Sequence, residues 1–292
     1  MMLAVFLSLA AAATFAASGL FIDRVSPKVS ALQMARWQNS IGFAFTVSAM
    51  LALGSWRSLT AEQMLWLAAS SVTGIMLATT TFIATIQLVG ARLNALLFTL
   101  AVPFAVVLGY MFRGETIGAL QSAGVALILT GIACAILGPG GTEGLRKPKA
   151  LLPGLALGLL TALGQATGNL LARPAMESGA EPFAAMALRS GLGAVFFVLL
   201  LAIPRLRPDA RPSARDLGLI GGSAVVGIFF GMSLLMAALA VGDLGIVTTL
   251  SSTAPILILP MLWAISREPP RAAAWTGAAL AVAGTALITL GA

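Results

Sequence analysis

Apolar side chains run along this chain in ten blocks, each closed by charge, glycine, proline or tryptophan. They cover about Leu3–Ile22, Ala31–Leu53, Met64–Thr85, Leu93–Phe112, Ile117–Leu137, Leu151–Leu171, Phe183–Ile203, Leu217–Ala240, Leu244–Ile265 and Ala272–Leu290. A helix needs about 20 such residues to cross ~30 Å of hydrocarbon. The pattern therefore predicts an all-α integral membrane protein with ten transmembrane helices. The in/out alternation of a membrane β-barrel is absent from the sequence. The connections are short and leave no room for a soluble domain. The first block has no basic residues ahead of it, and Arg24 and Lys28 follow it. It reads as a retained helix and not as a cleaved signal peptide.

The chain also repeats itself. The segment from Val89-Gly90 to Pro103 matches Val241-Gly242 to Pro255 at an offset of 152. From Glu115 onward the offset is 153, aligning Glu115 with Glu268, Gly124 with Gly277, Gly131 with Gly284 and Gly138 with Gly291. Arg36 falls on Arg189 at the same 153. The expected organisation is a five-helix repeat over 1–138, a linker over 139–150 and a second five-helix repeat over 151–292. An odd number of helices starts the second repeat on the opposite side of the membrane. Two inverted halves with a substrate site between them near the midplane are a common transporter design.

Composition agrees and adds orientation. The 292 residues are 59% hydrophobic and 9% charged, whereas soluble domains carry roughly 25% charge. The formal charge of +7 is not gathered into a basic run dense enough to track phosphates, so nucleic acid is not an expected partner. Twelve bases fall in the loops 1–2, 3–4, 5–6, 7–8 and 9–10 (Arg24, Lys28, Arg92, Arg146, Lys147, Lys149, Arg205, Arg207, Arg211, Arg215, Arg267 and Arg271), and three in the others (Arg57, Arg113 and Arg173). Cytoplasmic loops are the basic ones. Both termini are therefore expected outside and the linker in the cytoplasm. The chain has no histidine and one cysteine, Cys134. Imidazole chemistry, most metal sites and a disulfide framework are excluded, and Cys134 reads as a small buried hydrophobe. With no reactive cluster and no long sensing loop, an enzyme or a receptor is not expected.

Polar groups inside spans mark a cavity or a helix–helix contact. The candidates are Thr14 and Ser18 in helix 1; Thr79 and its hydroxyl neighbours, then Gln87, in helix 3; Asn94 and Thr99 in helix 4; Gln165 and Asn169, four apart on one face of helix 6; and Thr249, Ser252 and Thr253 in helix 9. These uncharged donors and acceptors suit a zwitterion or a polyol. A lone serine or threonine more often bonds to its own helix, whereas an amide needs more partners, which favours Gln165 and Asn169 as cavity residues. Phe82, Phe98, Phe229 and Phe230 are candidates for an apolar wall. Pro103 and Pro255, at equivalent mid-helix places, are expected to kink or gate. Gly154…Gly158, Gly164…Gly168, Gly218…Gly222 and Gly227…Gly231 read as close-packing surfaces. Arg36 and Arg189 lie early in helices 2 and 7, either gripping an interface or meeting substrate. Glu115 and Glu268 sit at helix ends, and no acid lies deep in a span. No cofactor and no metal is implied.

Pro27…Arg36, Ala95–Pro103…Arg113-Gly114-Glu115…Gly124…Gly131 and, in the second half, Pro182…Arg189 and Pro255…Glu268…Gly277…Gly284 carry a resemblance. Together with the five-helix duplication, they make the chain resemble the drug/metabolite transporter superfamily in its EamA-type ten-helix branch, along essentially the whole chain. The resemblance implies that helices 1, 3, 4, 6, 8 and 9 line a central cavity. It also implies export of amino acids, aromatic or other neutral ones, or related small metabolites. The YddG-like amino-acid exporters are the neighbouring subgroup, with sugars or nucleotide derivatives as the alternative cargo. Small multidrug pumps of the wider superfamily use a membrane carboxylate that this chain lacks. The expected setting is a bacterial inner membrane, with substrate and lipid as partners and a monomer or weak oligomer as the state. In the second half, Arg267-Glu268-Pro269-Pro270 departs from the first half's Arg113-Gly114-Glu115.

Overall fold

A computed structural model describes residues 2–25, 27, 29–113, 118–138, 148–208, 211–241, 247 and 250–290. Glu115, Thr249 and most of the linker 139–150 lie outside the described residues. Apart from short 3-10 turns, ten helices follow one another among the described residues: α1 (Met2–Asp23), α2 (Ala31–Ala52), α3 (Ala61–Phe98), α4 (Ala101–Arg113), α5 (Ala119–Leu137), α6 (Leu151–Glu177), α7 (Pro182–Leu199), α8 (Ala214–Val241), α9 (Ala254–Ser266) and α10 (Ala272–Leu290). No strand occurs among the described residues. Among the described residues, six helices are long and apolar enough to cross a membrane, and three shorter apolar ones accompany them.

Local chemistry starts the helices in the same way in both halves. At the head of α3 the Thr60 hydroxyl accepts from the Gln63 backbone N–H, and the Gln63 side chain accepts from the Thr60 N–H. At the head of α8, Ser213 accepts from the Asp216 N–H. Each of these pairs is 153 residues from its mate, so both N-termini orphaned at α3 and α8 are satisfied by one device. In α7 the Glu181 carboxylate accepts from the N–H groups of Phe183 and Ala184, and Pro182 occupies the first helical turn, where its missing donor costs nothing.

The helices are interrupted at matching places too. A π-helical stretch occupies Val72–Leu77 in α3 and Ala224–Met232 in α8. Gly74 and Gly227 lie within them, 153 apart. A two-residue turn at Thr99-Leu100 precedes α4, and another at Ser252-Thr253 precedes α9. These turns correct one expectation. Pro103 and Pro255 are not mid-helix kinks but belong to the first turn of the helix that restarts after each break. There the missing N–H has no intrahelical partner to lose. The interior prolines are instead Pro174 in α6 and Pro260 in α9. Gly90 breaks α3 with φ 82° and ψ 164°, a backbone state that residues with a Cβ avoid.

Packing obeys a two-fold exchange. α1 packs on α8 and α6 on α3; α4 packs on α6 and α9 on α1; α2 packs on α7 and α5 on α10. Replacing every helix by its counterpart in the other half returns the same set. Two five-helix repeats of opposite orientation are interlocked in this way. The α5–α10 pair shows the exchange at atomic scale. A Cβ at Gly124 would stand 2.5 Å from the Gly284 carbonyl oxygen, and one at Gly131 2.6 Å from that of Gly277. These are the glycines that fix the repeat register, and bare backbone is what lets the two helices approach so closely. Most of the other small-residue pairs also face helices: Gly158 meets Leu97, Gly168 meets Gly74, and Gly231 meets Phe15 and Thr14. Gly218 is the exception, with nothing within 4 Å.

Candidate functional site

A cavity of about 80 Å³ opens between the repeats, room for roughly five to eight water centres. Its wall takes Phe15, Ser18 and Gly19 from α1; Gln38 from α2; Gly74, Thr79, Phe82, Asn94 and Phe98 from α3; Thr161 and Gln165 from α6; Gly227, Ile228 and Met232 from α8; and Ala254 and Ile258 from α9. Among the described residues, no charged one lines it. The surface is largely apolar, with amide and hydroxyl groups converging from both halves, the composition of a small-molecule site.

Hydrogen bonds fix these groups across the repeat boundary. Gln38 Nε2 donates to Ser223 Oγ at 2.6 Å, and Ser18 Oγ lies 3.1 Å from the same hydroxyl. Thr161 Oγ1 of α6 donates across the boundary to Thr81 Oγ1 of α3 at 2.8 Å, whereas Gln165 Nε2 donates within α6 to Asn169 Oδ1 at 3.0 Å. Ser70 Oγ donates to the Gly168 carbonyl at 2.6 Å. Ser70 and Ser223 are 153 apart, and each ties its helix to the first helix of the other repeat. Asn94 is buried and its Oδ1 has no hydrogen-bond partner, which costs roughly 1–3 kcal/mol. An acceptor kept at that cost in a cavity wall is suited to a donor brought in by a ligand.

The candidate residues divide by place. Ser18, Thr79, Phe82, Asn94, Phe98 and Gln165 line the cavity. Phe82 and Phe98 meet edge to face, with centroids 5.9 Å apart. Asn169 stands one turn behind as the acceptor for Gln165. Thr14 donates to the Ala11 carbonyl, Thr99 to that of Leu96 and Thr253 to that of Leu250, so all three bond back to their own helices. Ser252 lies half-buried in the turn before α9. Gln87 donates to the Val29 carbonyl at 2.8 Å and ties α3 to the head of α2. Phe229 packs among Phe45, Phe183 and Phe230, away from the cavity wall, and Phe230 is exposed. Pro103 and Pro255 lie outside the wall, Arg36 is half-buried and Glu268 is exposed. Arg189 is completely buried.

Three polar or aromatic lining residues escape the candidates named from sequence: Phe15, Gln38 and Thr161. Gln38 carries the same signal that singled out Gln165, an amide within a span, but sits in a helix outside the set of six. Thr161 lies one turn before Gln165, on the same face.

The chain belongs to the EamA-like transporter family, which it matches twice, over residues 2–137 and 152–290. Among solved structures, one described as the crystal structure of a protein is similar over 98% of this chain and 95% of its own, with a TM-score of 0.71 and 18% identity. That likeness concerns the fold. No curated protein matches the chain.

Proposed function

We propose that this EamA-like transporter exports amino acids, aromatic or other neutral ones, or related small metabolites. They pass by alternating access through the cavity between its two repeats. The observation that carries the reading is the lining of that cavity: amides and hydroxyls from both halves, aromatic rings of α1 and α3, and, among the described residues, no charged side chain. A zwitterion or a small neutral solute can exchange water for these donors and acceptors without leaving a bare charge in the wall. Rocking of one repeat against the other would open the cavity to each side in turn, as inverted-repeat transporters do. The paired interruptions of α3 and α8 and the turns before α4 and α9 supply backbone that can yield near the site.

In this reading the chain lies in a bacterial inner membrane, with both termini extracytoplasmic and the linker 139–150 in the cytoplasm, as the basic loops require. The repeats meet at that linker, 1–138 on one side and 151–292 on the other. Counterflow into proteoliposomes preloaded with single unlabelled amino acids tests the substrate class. Accumulation of at least one labelled neutral amino acid is expected. Movement of sugars or nucleotide derivatives in place of every amino acid would contradict it.

A further inference from the structure

Arg189 of α7 is 0% exposed. Its Nη1 faces the sulfurs of Met186 and Met236, at 3.6 and 3.7 Å. Its Nε and Nη2 have no hydrogen-bond partner, and no described carboxylate pairs with it. Nε and Nη2 form the side-on edge of the guanidinium. That edge takes a carboxylate through two parallel N–H···O bonds. A cation held in a membrane interior without a counter-charge is costly and marks a substrate or ion path. Its repeat mate Arg36 is only half-buried, so the arrangement belongs to the second half and is not an automatic product of the duplication.

The unpartnered edge lies just behind the cavity. A Cβ at Gly74 would stand 2.8 Å from Arg189 Nη2, and Gly74 itself is part of the cavity wall. Gly74 lies in the π-helical stretch Val72–Leu77, and Ser71 Oγ in the turn before it donates to the Arg189 carbonyl at 2.7 Å. One glycine in an irregular stretch of helix thus touches both the guanidinium and the cavity.

We propose that Arg189 is the carboxylate-recognising group of the transport path. When the stretch Val72–Leu77 shifts at Gly74, the Nε–Nη2 edge meets the carboxylate of a substrate in the cavity. The substrate class is then a small monocarboxylate carrying its own ammonium or neutral polar group. This deepens the export reading and rests on the same cavity.

The test uses the full chain and the variants Arg189→Met and Arg189→Lys. In detergent, sodium propionate should raise the melting temperature of the wild type, while propionamide and sodium chloride at matched ionic strength should not. Arg189→Met should fold and melt at or above the wild type, lose the propionate response, and lose amino-acid counterflow at least tenfold. Arg189→Lys, which keeps charge without the two-pronged edge, should recover less than half of the response. If Arg189→Met does not fold, the lysine variant carries the comparison. Full counterflow by either folded variant, an equal shift from chloride, or no propionate shift in the wild type would each overturn the proposal. An Arg189-dependent propionate shift without counterflow of any amino acid would leave the carboxylate site standing and remove the export reading.

Discussion

Gln38 of α2 donates to Ser223 of α8 at 2.6 Å, joining the two repeats directly at the wall of the cavity. The acceptor is the repeat mate of Ser70, which makes its own cross-repeat bond to the Gly168 carbonyl. Polar closure of the cavity is thus built from one position of the repeat used twice, with an amide added on one side only.

Gln38→Leu removes that amide and leaves Ser223 with Ser18 as its neighbour. The lost hydrogen bond is worth about 1 kcal/mol of stability. Transport should suffer more than the fold: a KM raised at least about fivefold, from the loss of about 1 kcal/mol of substrate interaction, with a melting temperature lowered only slightly. Counterflow kinetics and thermal melting of the same preparation give both numbers.

Asn94→Leu separates function from stability in the opposite sense. The buried Oδ1 has no partner, so an apolar replacement of similar size removes a desolvation cost of about 1–3 kcal/mol. The variant should melt higher than the wild type and transport at least about tenfold more slowly, as expected when a ligand loses about 1.4 kcal/mol of interaction. A variant both more stable and fully active would show that Asn94 does not touch the substrate.

The glycine seam between α5 and α10 predicts a sharp contrast. Gly131→Val drives a side chain onto the Gly277 carbonyl and should destabilise by about 3 kcal/mol or more, since backbone meets backbone there. Gly218→Ala meets nothing and should stabilise α8 by about 0.5–1 kcal/mol through helix propensity alone. Thermal melting in one detergent decides both.

The prolines give a third contrast. Removing an interior proline restores a helix hydrogen bond and relieves roughly 3 kcal/mol. Pro103→Ala and Pro255→Ala, both in first turns, should each change stability by less than about 1 kcal/mol and leave counterflow within about twofold. Pro260→Ala, inside α9, should raise the melting temperature clearly.

Much of this was legible in the residues. The apolar blocks gave the order of the helices, because hydrocarbon thickness sets the length of a span, but not all bounds: the block Leu93–Phe112 is divided between the end of α3 and α4. The repeated glycines gave the five-helix duplication, and Gly124, Gly131, Gly277 and Gly284 prove to be where the backbones of α5 and α10 meet. The breaks before α4 and α9 were hidden, because Thr99-Leu100 and Ser252-Thr253 are apolar or small and do not interrupt a hydropathy run. The π-helical stretches were hidden for the same reason. Phe229 and Phe230 illustrate a different limit: helix rotation decides which face meets a cavity, and an all-round apolar helix such as α8 has no polar face to fix that rotation. Arg36 and Arg189 show a third limit. Equivalent positions in the sequence have unequal burial, since their surroundings come from different helices.

The central claim is that substrate passes through the cavity lined by Gln38, Thr79, Asn94 and Gln165. Its most direct test is Thr79→Cys in a Cys134→Ala background, the native chain having a single cysteine. The variant is reconstituted and treated with a small charged methanethiosulfonate reagent during counterflow. The account predicts that labelling at position 79 stops transport and that the transported amino acid slows labelling in proportion to its occupancy. Complete labelling with undiminished transport would contradict it.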